Sequence, residues 1–126
     1  TEGCFMLTVR IVSFSYKGGY PKVVPTHGGG FIFDCRCLPN PGREEQYRFA
    51  TGIDAPVIAY LEARPEVQQF LTTIFSLLTQ AVEVYKTRGF ESLTVGFGCT
   101  GGQHRSIYCS ERTAAFLRNL GVNVLI

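Results

Sequence analysis

The 126 residues carry 45% hydrophobic and 13% aromatic side chains against 17% charged ones, the composition of a chain that buries a core and not of a disordered segment. At that length a single domain is expected, folding without disulfides or metal, and two enzyme-sized domains are excluded. Twelve Lys and Arg against ten Asp and Glu leave a net charge of +2, too small a basic excess for phosphate contacts alone to carry nucleic-acid binding.

The five cysteines, Cys4, Cys35, Cys37, Cys99 and Cys109, are odd in number. A chain with this much apolar core has no need of bridges, so a reducing, cytoplasmic location is expected. The sequence starts at Thr1 without a basic and then apolar leader, which reads as a domain taken from a longer protein. Its greasiest stretch, Phe70 to Tyr85, is interrupted by Thr72, Thr73, Ser76, Thr79, Gln80 and Glu83. It is shorter than the roughly 20 apolar residues of a membrane span, and no membrane partner is expected.

Residues 7–16 alternate β-branched and aromatic side chains and then meet Lys17-Gly-Gly-Tyr-Pro21, which predicts a first strand and a turn. After Gly28-Gly29-Gly30, the apolar run Phe31 to Leu38 predicts a second, buried strand, stopped by Pro39-Asn40-Pro41-Gly42. On that strand Cys35 and Cys37 would share the Phe31 and Phe33 face and fill core, with no metal site, while Asp34 and Arg36 would lie opposite, as a mutual ion pair or as site residues. Residues 43–54 hold most of the loop charge. Asp54 is a candidate N-cap with Pro56 in the first turn of a helix reaching Arg64.

Beyond Pro65 the apolar positions Val67, Phe70/Leu71, Ile74, Leu77/Leu78, Ala81 and Val84/Tyr85 recur at helical spacing until Gly89. Ser92 to Gly98 predicts a central strand, Cys99-Thr-Gly-Gly-Gln-His-Arg-Ser106 a loop, Ile107 to Leu120 a helix whose stripe Ile107, Ala114, Leu117 and Leu120 faces the core, and residues 122–126 a last strand. A strand, glycine-rich loop, helix and strand within residues 92–126 form a βαβ unit, so the expected class is α/β with a largely parallel sheet and a ligand loop at the carboxyl end of a strand.

In such sheets ligands sit outside the strand carboxyl ends, and a loop running into a helix N-terminus offers unpaired amides to an anion. Gly101 and Gly102 let the backbone curl, Thr100 and Ser106 add hydroxyls, and Arg105 brings a planar fork suited to phosphate. The same residues satisfy Cys-x5-Arg-Ser, the pattern of cysteine-dependent phosphatases, in which a thiolate attacks phosphorus and the arginine holds the oxygens. Those enzymes carry His-Cys where this chain has Gly98-Cys99. They also need an acid, and Asp34 and Asp54 are the only aspartates here. Cys99 therefore reads first as a small residue at a close approach, and as a nucleophile only in the alternative. His104, beside Arg105 at a positive helix end, is expected to be a neutral ligand donor; His27 is expected at the surface. Arg112 and Arg118 of the last helix read as solvated.

The loop Cys99-Thr-Gly-Gly-Gln-His-Arg-Ser106 resembles the Gly-Cys-Thr-Gly-Gly-[Lys/Gln]-His-Arg-Ser signature of the C-terminal domain of the RapZ family of RNase adapter proteins. The similarity extends to Phe33-Asp34-x-Arg36-x-Leu38-Pro39-Asn40-Pro41, to Thr51-Gly52-[Ile/Leu]-Asp54 and, weakly, to Ser13-Phe14-x-x-Lys17-x-Gly19. It covers almost the whole chain. The resemblance implies a sugar-phosphate-binding α/β fold that senses an amino-sugar phosphate, glucosamine-6-phosphate, and binds small regulatory RNAs for presentation to an endoribonuclease. It implies ligand contacts on Asp34, Arg36, Cys99, Thr100, Gly101, His104 and Arg105, to which the loop reading adds Gly102 and Ser106. It implies no catalytic residue and no cofactor, and it leaves room for a homo-oligomer formed through the full-length protein. Full-length members place a P-loop NTPase domain first; no Gly-x4-Gly-Lys-[Ser/Thr] occurs here.

The sequence departs from the family pattern at Gly42, where the RNA-binding members carry a histidine, and in having no Lys- and Arg-rich run after its last strand. Weak RNA binding with a gentle salt dependence is expected of residues 1–126.

Overall fold

A computed structural model describes residues 7–21 and 29–126, so Cys4 and His27 lie outside the described residues. Strands β1 (Thr8–Ser15), β2 (Gly30–Asp34), β3 (Ser92–Cys99) and β4 (Asn123–Leu125) form one sheet in the order β2-β3-β1-β4. All its pairings are parallel. Helices α1 (Ala55–Glu62) and α2 (Pro65–Arg88) connect β2 to β3, and α3 (Arg105–Asn119) connects β3 to β4. The α/β class expected from the alternation of strand and helix patterns is the class observed.

The order follows from the burial each strand tolerates. β3, buried at every residue from Leu93 to Cys99, takes a central place; the half-exposed β2 and the three-residue β4 take the edges. Val9 and Ile11 of β1 with Leu93, Val95 and Phe97 of β3 point into a core completed by Val57 and Leu61 of α1, by Val67, Leu71, Ile74, Leu78 and Val82 of α2, and by Ala114 and Leu117 of α3. Each fully buried Leu or Val contributes about 1.5–3 kcal/mol. On the other face of β3 the glycines make room for rings. A Cβ at Gly98 would come within 2.5 Å of Phe14 and 2.6 Å of Tyr16.

α2 starts at Pro65 and ends as the pattern predicts, with Gly89 left-handed (φ 71°) and the Phe90 amide donating to the Tyr85 carbonyl at 3.0 Å. Asp54 holds the N-cap position of α1, but its carboxylate accepts from the Thr51 amide (2.7 Å) and caps no helix amide.

Several boundaries differ from the sequence expectation, among them that of α1, which ends at Glu62 and not at Arg64. The second strand does not run to Leu38: it ends at Asp34, and Cys35–Cys37 is a 3-10 turn. The Asp34 carboxylate accepts from the Arg36 amide at 2.9 Å, a local bond that bends the chain out of the ladder. In consequence Cys35 is buried and Cys37 exposed, and the two do not share a core face. α3 begins at Arg105, two residues earlier than Ile107, so Arg105 and Ser106 belong to its first turn. The last strand is limited to Asn123–Leu125, its only paired residues.

Among the described residues no helix is long and apolar enough to cross a membrane, and no group of three His, Cys, Asp or Glu is placed to hold a metal ion.

Candidate functional site

The carboxyl end of β3 leads through residues 100–104 into α3. The first α3 amide with an acceptor one turn back is that of Tyr108, on the His104 carbonyl at 3.0 Å; the amides ahead of it have no intrahelical acceptor, and that of Ser106 reaches the Cys99 sulfur. Gly102 takes a left-handed turn (φ 66°) where a Cβ would lie 3.0 Å from the Ser15 backbone. Ser15 Oγ donates to the Thr100 carbonyl at 2.7 Å, and the Tyr16 amide donates to the Cys99 carbonyl at 3.0 Å. The end of β1 thereby fixes the loop from behind.

Arg105 is only 5% exposed. Its Nη1 donates to the Arg36 and Leu38 carbonyls at 3.0 and 2.9 Å, across the turn where β2 ends. Its Nε has no partner among the described residues. Among the described residues the ion pairs are Arg36 with Asp34 and Arg112 with Glu62, so Arg105 is a buried cation without a carboxylate. Such a charge is costly to bury unless an anion reaches it.

Two adjoining pockets open on Arg105. One, of about 240 Å³, is lined by Lys17, Asn40, Gly42, Arg48, Cys99, Thr100, Gly101, Gln103, His104 and Arg105. The other, of about 370 Å³, is lined by Arg36, Leu38, Pro39, Asn40, Arg43, Glu44, Tyr60, Thr100 and Arg105. Asn40, Thr100 and Arg105 border both. The first has cations and no carboxylate; Glu44 is the single carboxylate of the second.

Cys99 lies at the inner end of the smaller pocket, its Sγ 3.2 Å from Ser106 Oγ. Burial opposes its thiolate, but the Ser106 hydroxyl, the amides of Ser106 and Gly102 and the Arg105 charge outweigh it and hold the thiol below the ordinary cysteine range. His104 Nε2 lies 2.8 Å from the Tyr47 carbonyl. A carbonyl only accepts, so Nε2 carries the proton, and in the neutral ring Nδ1 is a lone-pair acceptor. The expected neutral donor is thus corrected: its donor is committed to Tyr47, and what it can offer a ligand is an acceptor.

Of the nine expected site residues, Arg36, Cys99, Thr100, Gly101, His104 and Arg105 border the two pockets. Gly102 and Ser106 stand behind them, Ser106 fully buried against Cys99. Asp34 borders neither. Its carboxylate takes the Arg36 guanidinium in a two-pronged pair, Nη2 at 2.6 Å and Nε at 2.9 Å, and these bonds hold the carboxyl below its usual range.

The sequence pattern of the RapZ C-terminal domain matches residues 7–126. The chain belongs to this family. It is 41% identical over 118 residues to a nucleotide-binding protein of Thermotoga petrophila, a match covering 94% of this chain and 40% of that protein. A nucleotide-binding protein of Ruegeria pomeroyi is 41% identical over 125 residues, 99% of this chain and 42% of the relative. The RNase adapter protein RapZ of Yersinia pseudotuberculosis is 40% identical over 118 residues, again 94% and 40%. The chain therefore spans about two fifths of the length of these relatives.

In this member of the RapZ C-terminal domain family the fold gives a role to residues whose types alone mark none. Gln103 donates its side-chain Nε2 to the Arg48 and Ala50 carbonyls, both at 2.7 Å, and its backbone carbonyl accepts from the Gly52 amide at 3.0 Å. With the His104 bond to Tyr47, this ties residues 47–52 to the loop between β3 and α3. Gly52, from the Thr-Gly-Ile-Asp motif, lies so close that a Cβ would meet the His104 carbonyl oxygen and, at 2.5 Å, the Tyr108 amide nitrogen. Lys17, Asn40, Arg43, Glu44, Arg48 and Tyr60 line the pockets from segments far apart in sequence. Lys17 and Asn40 sat in quoted motifs; for the others no sequence signal marked convergence.

Proposed function

We propose that this chain is a binding domain for a small phosphorylated metabolite. The observation that carries the reading is Arg105: a buried guanidinium with, among the described residues, no partner for Nε and no carboxylate, at the N-terminus of a fifteen-residue helix and bordering a pocket lined by Lys17 and Arg48. The phosphate occupies the smaller pocket and the rest of the molecule extends past Asn40 into the larger one. An amino-sugar phosphate such as glucosamine-6-phosphate suits that division, because Glu44 in the larger pocket can pair with an ammonium while the smaller pocket holds only cations and neutral groups. The Asp34 carboxylate, held by Arg36, acts by positioning Arg36.

A regulatory role is supported by the relative named RNase adapter protein; the arginines open to an RNA include Arg43 and Arg48 and, on the last helix, the exposed Arg118, whereas Arg112 is bonded to Tyr108 and paired with Glu62. One observation favours the phosphatase alternative, the lowered Cys99 thiol beside Arg105. Against it, both aspartates are held elsewhere: Asp34 by Arg36, Asp54 by Thr51.

Calorimetric titration with glucosamine-6-phosphate, glucose-6-phosphate and inorganic phosphate tests the reading. Saturable binding is expected for all three, tightest for the amino sugar. No heat with any of them removes the reading, and hydrolysis of an aryl phosphate above the buffer rate would replace it with the enzyme.

A further inference from the structure

Anion binding leaves the character of Cys99 unused. Four cysteines are free among the described residues, and they differ in kind. Cys37 is exposed on the turn after β2. Cys35 is fully buried, and its contact with Cys109, together with burial, pushes its thiol far up. Cys109 is also fully buried. Cys99, 2% exposed, is the one that borders the pocket at Arg105, so small solutes reach its sulfur only by the path an anion would take. Arg105, 5% exposed and with no partner for Nε among the described residues, borders the same pocket and gives it a donor-rich wall suited to an oxygen-rich ligand.

We propose that Cys99 is an oxidation site for hydrogen peroxide or a related small hydroperoxide, and that its oxidation and anion binding exclude one another. In the reaction the Cys99 thiolate attacks one peroxide oxygen. The S–O bond forms, the O–O bond breaks, and the departing hydroxide takes a proton from solvent to leave as water. Sulfur is oxidised by two electrons to the sulfenic acid and the peroxide is reduced by two. Arg105 and the amides at the start of α3 supply donors to the departing oxygen, as they would to a phosphate oxygen. The new hydroxyl on sulfur then stands in the phosphate's place. Two thiol molecules reduce it back: the first condenses with the sulfenic acid to a mixed disulfide and water, and the second attacks that disulfide to release the Cys99 thiol and a small-molecule disulfide, so the change is reversible.

The proposal rests on the reading of the Arg105 pocket as an anion site, and the test separates the two. Residues 1–126 are treated with equimolar hydrogen peroxide and a dimedone trap, then digested with trypsin. Cleavage after Lys and Arg places Cys35, Cys37, Cys99 and Cys109 in four different peptides, 23–36, 37–43, 89–105 and 106–112. The 89–105 peptide is expected to label at least about tenfold faster than the others, the gain a stabilised thiolate gives over an ordinary thiol, and saturating inorganic phosphate should suppress that label alone. Labelling led by Cys37, following exposure, or Cys99 reacting no faster than Cys109, overturns the proposal. Should calorimetry show no phosphate binding while Cys99 still labels first, the anion reading falls and the oxidation site stands; bound phosphate with an inert Cys99 has the opposite meaning.

Discussion

Two arginines stand at the same end of the sheet and have opposite fates. Arg36 is about half exposed, lies 3.8 Å over the Tyr16 ring, and is fully engaged by Asp34 two residues before it. Arg105 is buried, is held in place by carbonyls, and has neither a carboxylate nor a partner for Nε among the described residues. The first is a pair that the chain completes by itself, of the exposed sort that contributes little to stability. The second is incomplete within the described residues, and it is there that a ligand has something to add.

The firmest way to break the Arg105 side of the comparison is to unseat the segment clamped to its loop. Gly52→Ala places a methyl against the His104 carbonyl and the Tyr108 amide. Because backbone and not a flexible side chain is in the way, a loss of about 3 kcal/mol is expected in urea unfolding, the upper end of ordinary overpacking. Next in size, Arg105→Ala should weaken inorganic phosphate binding by about 1.5–3 kcal/mol in calorimetry, whereas Arg36→Ala should leave phosphate affinity nearly intact. Equal losses in the two variants would erase the distinction.

How much of this could be read from the sequence depends on whether the deciding bond is local or convergent. The β3-loop-α3 unit was legible because strand alternation, paired glycines and helical periodicity occur within one short run. The end of β2 was misread, since the Asp34 carboxylate reaching the Arg36 amide competes with the ladder and leaves no trace in hydrophobic pattern. The start of α3 was placed late because no Ser, Thr, Asp or Asn stands at its N-cap, which is His104. Loop residues 99–106 suggest the proposed anion site by their types alone. Lys17, Arg48 and Glu44 meet them only through the fold, and the tautomer of His104 is set by a carbonyl 57 residues away in sequence.

A smaller effect sharpens the comparison at the clamp. Gln103→Ala removes two side-chain hydrogen bonds to residues 48 and 50 and should cost about 1–2 kcal/mol of stability. Hydrogen exchange should quicken most in residues 47–54, without a matching change around Asp34.

The smallest effect belongs to the exposed pair. The Asp34 carboxyl is held below its ordinary value in the folded chain, so its contribution is present at neutral pH and is lost as pH falls from about 4, the unfolded carboxylate range, through the lowered value. Asp34→Asn should therefore be slightly less stable than the parent at pH 7, with the gap closing toward pH 3 and narrowing in high salt. A gap that widens in acid would show that Asp34 is not stabilised as the anion.

The most direct test follows the two arginines together. In a nitrogen-15 correlation spectrum the Nε–H groups of Arg105 and Arg36 give separate signals, assignable with the two alanine variants. Titrated with inorganic phosphate, the Arg105 Nε–H and the amides of residues 100–106 are expected to shift together and saturate, while the Arg36 Nε–H holds still. Saturable movement of Arg36 with Arg105 unmoved, or no saturable shift at either, would contradict the account.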